Sequence, residues 1–194
     1  AEKVKVLRCV RPLNRDELAR WTLRGQYRSY RDEPGVSPGS RTATFGAITL
    51  HVDNWRWQGV PFYLRSGKAM SCRTTQIVIQ FRHPPHMIFG NGSGELHDAN
   101  RLVLQIQPAE GIQLHFQSKV PDAGMQRRLV DLDFTFRGRF AGELPEAYQR
   151  LLLDAMQGDA SLFARSDEVE ASWRLIDPIQ TAWDSTDSPP LGFY

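Results

Sequence analysis

Four stretches of this chain alternate apolar and polar residues with a period of two, and that pattern restricts the fold more than any other feature. In TTQIVIQF, Ile77, Ile79 and Phe81 share one side while Gln76, Val78 and Gln80 share the other. In RLVLQIQP, Leu102, Leu104 and Ile106 oppose Val103, Gln105 and Gln107. GIQLHFQ sets Ile112, Leu114 and Phe116 against Gln113, His115 and Gln117. LVDLDFTF sets Val130, Leu132, Phe134 and Phe136 against Asp131, Asp133 and Thr135. Successive side chains of a strand point to opposite faces, so these segments predict strands with one dry and one polar face. Antiparallel sheets have that character, whereas the doubly covered strands of a parallel, doubly wound fold read as continuous apolar runs. With TATFGAITLHV and PFYLR added, at least six strands are predicted.

Helical signals flank the strands. Glu2 to Cys9 reads as a short helix, and after Pro12 the segment NRDELARWTL offers Asn14 as an N-cap, with Asp16 and Glu17 near the positive helix end. Residues 27–41, YRSYRDEPGVSPGSR, have loop composition. LPEAYQRLLLDAMQG has Pro145 in its first turn, Gly158 past its end, and Ala147, Leu151, Leu152 and Ala155 on one stripe. Ser166, Asp167 and Glu168 open a last helix carrying Val169, Trp173 and Ile176, which Pro178 is expected to end or kink. Strands first and helices last is the α+β order. The expected architecture is one domain over residues 1–194: a large, mostly antiparallel sheet with helices packed on one face. The other face is built from Gln, His, Thr and Asp with hardly any Lys or Glu, which suits either a wetted surface or a dimer interface.

A net charge of +2 argues against nucleic acid as a partner, leaving only a local basic site for anion recognition. No apolar run approaches the roughly 18 to 20 residues of a membrane-spanning helix, and no signal peptide is visible, so no membrane partner is expected. Cys9 and Cys72 make neither a metal-ligand spacing nor a disulfide framework, which fits reduced thiols and a cytoplasmic setting. The opening AEKVKVLRCV, without Met, and the closing SPPLGFY read as the ends of a fragment.

Of 24 basic residues only four are lysines, and one of them, Lys68, follows Gly67 directly at the end of PFYLRSGK. A nucleotide phosphate loop needs a glycine five residues before its Gly-Lys pair and Ser or Thr after the lysine. Phe62 and Ala69 occupy those positions, so the phosphate-loop reading fails. What remains is a strand-end lysine with Arg73 five residues on, able to converge on one anionic group or to stay solvated. His83 and His86 in RHPPHM are separated by two prolines and cannot form a helical metal pair; no metal is expected. Among the five histidines, His51, His83, His86, His97 and His115, only His97, beside Asp98, has an evident orienting carboxylate. Ser93 in GNGSG is no nucleophile elbow, and no GxGxxG fingerprint is present. Trp55 and Trp57 read as packing a hairpin turn before Phe62.

The strings RTATFGAITLHVDNWRWQGVPFYLRSGKAM, NRLVLQIQP, VDLDFTF and LPEAYQRLLLDAMQGDASLFARSDEVEASWRLIDPI, in this order, resemble the C-terminal domain of NADP-dependent glucose-6-phosphate dehydrogenase. The resemblance covers essentially the whole chain. It implies an α+β fold whose free sheet face forms the interface of a homodimer, or of dimers paired into a tetramer. It further implies a share in oxidising glucose 6-phosphate to 6-phosphogluconolactone with NADP, the entry step of the oxidative pentose phosphate pathway. Lys68 matches the family lysine on the sugar phosphate side of the substrate, Arg73 a second basic substrate contact, and Gln107 a substrate-contacting glutamine. The family's coenzyme fingerprint and its catalytic string belong to an N-terminal half that is absent here, so NADP is expected to bind there and the chain alone to be inactive. Arg65 and Asp133 match positions of a second, structural NADP found in some members, but Thr74, Val78 and Gln105 stand where those members carry basic residues. A catalytically silent, stand-alone assembly or regulatory module of the same fold is the alternative reading.

Overall fold

The computed structural model describes residues 2–83, 99–123, 126–136, 147–185 and 188–194. In chain order the elements are α1 (Glu2–Arg8), α2 (Arg15–Trp21), β1 (Thr22–Gln26), a 3₁₀ turn (Arg28–Asp32), β2 (Phe45–His51), β3 (Pro61–Gly67) and β4 (Thr75–Gln80). They continue with β5 (Arg101–Gln107), β6 (Gly111–Lys119), β7 (Arg127–Thr135), α3 (Ala147–Gln157), α4 (Ser166–Asp184) and β8 (Leu191–Phe193). The α+β class and the antiparallel pairing expected from the alternation are found, with the strands divided between two four-stranded sheets. These lie in two compact units, one of Ala1–Met70 with Leu151–Tyr194 and one of Ser71–Arg150.

In the first unit the sheet order is β3-β2-β1-β8, antiparallel except for the parallel pair β1–β8. Asn14 caps α2 as its sequence indicates: its Oδ1 accepts from the Glu17 N–H at 2.9 Å, and the Glu17 carboxylate accepts from the Asn14 N–H at 3.1 Å. β1, like β8, is a strand that alternation does not reveal. Its polar residues Thr22, Arg24 and Gln26 are buried, at 7%, 2% and 0% exposure, while Leu23 is exposed. Such burial is tolerable only where every polar atom finds a partner. Thr22 Oγ1 donates to Leu18 O at 2.7 Å, and Gln26 Nε2 donates to Ser40 O and Thr42 O at 3.1 and 2.9 Å. Arg31 Nε completes the set by donating to Gln26 Oε1 at 3.1 Å.

The apolar stripes expected on the last two helices need correction. Of the two outcomes expected at Pro178, an end is not found: α4 runs on to Asp184. Proline removes the N–H that would reach back one turn, and its ring crowds the carbonyl four residues earlier; Ile179 directly after it is among the most buried side chains of the described residues, which favours the continuation. On the same helix Val169 and Trp173 are exposed, so the inward stripe falls on Ile179 and Trp183 instead. On α3 the buried residue is Asp154, while Leu152 of the expected apolar stripe is exposed. Pro145 and the side chain of Ala147 lie outside the described residues.

The connection from α1 to α2 is tied to the end of β2. Val10 and Val52, both buried, form an antiparallel bridge. Beside it Arg11 donates from Nε and Nη2 to the two carboxylate oxygens of Asp53 at 3.0 and 2.8 Å. That hydrogen bond pulls the Asp53 pKa below its ordinary value, against a smaller opposing effect of burial. A folded-state pKa below the unfolded value of about 3.9 means stability that is present at neutral pH and lost as pH falls through the folded value. Asp53→Asn is therefore expected to lower the unfolding midpoint at pH 7 and to match the parent once both are acidified below that range. A gap that persists unchanged in acid would contradict the pairing.

In the second unit β4, β5, β6 and β7 form an antiparallel meander. The register aligns Ile77, Leu104, Ile112 and Phe134 across the sheet, and Ile79, Leu102, Leu114 and Leu132 beside them. On the other face run the rows Gln80, Arg101, His115, Asp131 and Val78, Val103, Gln113, Asp133. An irregularity between Thr75 and Gln76 brings Thr75 opposite Gln107 at the end of β5.

Candidate functional site

Lys68 sits one residue past β3, on a turn whose geometry is closely constrained. Gly67 pairs with Phe45 of β2, and a Cβ at Gly67 would come within 2.8 Å of the Phe45 ring and 2.9 Å of Met70 Sδ, so no larger residue fits without displacing them. The Lys68 N–H donates to Thr44 O at 2.8 Å. Ala69, next along, adopts φ +47, a left-handed conformation that L residues with a Cβ rarely take. The lysine lines a cavity of about 440 Å³ together with Tyr30, Thr44, Phe45, Ser66 and Trp183. An ammonium among hydroxyl and aromatic groups at a cavity wall is chemically suited to an anionic, hydroxyl-bearing ligand.

Trp183 reaches this cavity from α4 because Gly46 leaves room for it. A Cβ at Gly46 would lie 3.1 Å from the indole, whose Nε1 donates to Thr22 Oγ1 at 3.0 Å. A second cavity of about 240 Å³ is lined by Arg24, Arg41, Thr42, Trp183 and Asp184. The Arg24 guanidinium is engaged structurally: Nε donates to Pro189 O at 3.0 Å, Nη2 to Ser188 Oγ at 2.6 Å, and Nη1 to Trp183 O. Burial lowers its pKa from the ordinary arginine value, and the Arg41 charge adds to this.

Lys68 belongs to the first unit, Arg73 and Gln107 to the second. Arg73 immediately precedes Thr74, whose Oγ1 donates to Gln107 O at 3.2 Å, so the connection into β4 and the end of β5 are joined there. In the second unit the structure also pairs a histidine that sequence adjacency does not single out. His115 Nδ1 lies 2.5 Å from Asp131 Oδ1, directly across the β6–β7 register. Both residues fall on polar faces of alternating strands, but their partnership depends on register, which the sequence does not state. His86, His97, Asp98 and Ser93 lie outside the described residues. Cys9 and Cys72 are free thiols. Among the described residues no group of His, Cys, Asp or Glu is arranged to hold a metal, and no helix is long and apolar enough to cross a membrane.

Comparison with known proteins places these features in a family context. The family profile described as "Glucose-6-phosphate dehydrogenase, C-terminal domain" matches residues 1–194. The glucose-6-phosphate 1-dehydrogenase of Rhizobium meliloti is 43% identical over 202 residues, spanning 99% of this chain and 41% of that protein. That of Aggregatibacter actinomycetemcomitans is 43% identical over 188 residues, spanning 92% of this chain and 37% of its own length. A glucose-6-phosphate dehydrogenase solved in complex with its substrate glucose-6-phosphate superposes with a TM-score of 0.84 at 37% identity, covering 100% of this chain and 40% of that one. The chain thus spans about 40% of the length of the relatives it matches.

Proposed function

Because this chain belongs to the glucose-6-phosphate dehydrogenase C-terminal domain family, we propose that it is the substrate-binding and dimerisation part of an enzyme oxidising glucose 6-phosphate to 6-phosphogluconolactone with NADP. The observation that carries this reading is the family match over residues 1–194, and it is supported by Lys68, whose backbone N–H is held by Thr44 O and which lines a cavity. Lys68 and Arg73 supply cationic donors to the substrate, and the Gln107 amide serves a sugar hydroxyl. Charge-assisted hydrogen bonds of this kind contribute about 1.5 to 3 kcal/mol each.

These residues bind and orient the substrate. A hydride leaves C1 for the nicotinamide and the C1 hydroxyl loses its proton, and no residue of this chain is assigned to either transfer. NADP is bound by the part of the enzyme outside the chain, in a cytoplasmic setting. The polar face of the β4–β7 sheet is the surface proposed for self-association into a homodimer or a tetramer of paired dimers.

A turnover assay tests the division of labour. The full-length enzyme should reduce NADP with glucose 6-phosphate as its only reductant, and the purified chain should not. NADP reduction by the chain alone would overturn the proposal that it is a binding half-site.

A further inference from the structure

We infer that Tyr194 is a positioning residue for Lys68, acting through the lysine's backbone carbonyl; the inference rests on the substrate role proposed for Lys68. Tyr194 Oη lies 2.9 Å from Lys68 O, 3.3 Å from Thr44 O and 3.0 Å from Thr44 Oγ1. The Tyr27 N–H donates to Thr44 Oγ1 at 2.9 Å. One assignment uses each hydroxyl proton once: Thr44 Oγ1, accepting from Tyr27, donates to Tyr194 Oη, which donates to Lys68 O. Lys68 therefore has both backbone polar groups engaged, its N–H by Thr44 O at 2.8 Å and its C=O by Tyr194.

The tyrosine is itself fixed. Its N–H donates to Gln26 O at 3.2 Å, and its carbonyl accepts from the Arg28 N–H at 3.0 Å. Its ring meets Phe45 edge-on at 5.8 Å and lies so close to Gly25 that a Cβ there would stand 3.2 Å away. A rigid phenol thus anchors a turn that includes a left-handed Ala69 and a Gly67 with no spare room. A backbone conformation of that kind persists only when its surroundings hold it. Without the phenolic hydroxyl the turn relaxes and the ammonium samples more positions. Preorganisation is lost, which weakens capture of the ligand without altering the reacting atoms.

The test is a double-mutant cycle in the full-length enzyme, with Tyr194→Phe, Lys68→Ala and both together, measured as KM for glucose 6-phosphate and KM for NADP. Phenylalanine keeps the ring packing. Loss of one hydrogen bond to the turn should raise KM for glucose 6-phosphate about 3- to 10-fold, leaving KM for NADP unchanged. In the Lys68→Ala background the same change should have almost no effect, because nothing remains to be positioned. A full, additive effect in that background overturns the inference while leaving the role of Lys68 intact. No effect of Lys68→Ala on KM for glucose 6-phosphate removes the substrate role itself, and this inference with it. Thr44 gives an independent check should Tyr194→Phe fail to fold. Thr44→Ser, which keeps the hydroxyl, should behave as the parent, and Thr44→Val should reproduce the rise in KM. Equal behaviour of the two Thr44 variants would contradict the relay.

Discussion

Replacing Arg24 by leucine should destabilise the first unit by about 3 to 5 kcal/mol, far beyond the effect of an exposed charge. Arg24 is 2% exposed and its guanidinium serves Trp183 O, Pro189 O and Ser188 Oγ. Trp183 O lies in the last turn of α4, where carbonyls lack helical partners and the dipole favours a cation. One side chain therefore ends α4, holds the segment leading to β8, and sits in β1, the strand to which β8 is paired. Leucine fills the volume but leaves Trp183 O and Pro189 O, both part-buried, without this donor, each worth about 1 to 3 kcal/mol. Arg41, which donates to the same Ser188 Oγ at 3.2 Å from an exposed position, provides the control. Its replacement by leucine should shift stability by no more than about 0.5 kcal/mol. Urea unfolding followed by tryptophan fluorescence compares the two. A change below about 1 kcal/mol for Arg24→Leu would show that water or neighbouring groups replace the guanidinium readily.

The same residue marks the boundary of what sequence alone discloses. The strands β4 to β7 announce themselves because residues such as Ile77, Leu104 and Phe134 repeat at every second position and align on one face, although Ile77, Ile79 and Leu132 of that face are exposed and the buried Val103 lies on the other. The Asn14 cap is equally readable, since a capping box is a local motif. β1 and β8 are not. In Thr22–Gln26 the buried set is Thr22, Arg24, Gly25 and Gln26, and the burial of its side chains depends on acceptors as distant as Pro189 and Thr42. Leu191–Phe193 is too short to show any period and exists as a strand by pairing with β1. The course of α4 beyond Pro178 likewise depends on the burial of Ile179, set against the missing backbone donor and the crowding of the carbonyl one turn back.

The candidate site divides in the same way. Lys68 stands out in the sequence because lysine is rare here and follows a glycine at a strand end. The features that hold it do not stand out: Thr44 is 24 residues earlier in the chain, and Tyr194 approaches it across a sequence separation of 126 residues. The His115–Asp131 pair is hidden for a related reason, because only the register of β6 against β7 sets the two opposite one another.

Lys68→Ala in the full-length enzyme carries the largest expected functional effect. A lysine contributes a compact, strongly hydrated charge, which suits it to act as a point donor to crowded phosphate oxygens where a guanidinium fork is bulkier. Removing one charge-assisted hydrogen bond, at about 1.5 to 3 kcal/mol, corresponds to a loss of roughly 10- to 150-fold in kcat/KM. The alanine itself should be tolerated by the fold, because Thr44 O and Tyr194 hold the backbone of this residue and not its ammonium. Arginine at the same position should recover only part of the loss, since the charge returns as a planar fork and not as a compact point donor. The decisive measurement is kcat/KM for glucose 6-phosphate set beside KM for NADP in the parent and in Lys68→Ala. A fall in the first of at least about 10-fold, with the second unchanged, is the predicted result. Equal losses toward both would contradict the assignment of Lys68 to the substrate.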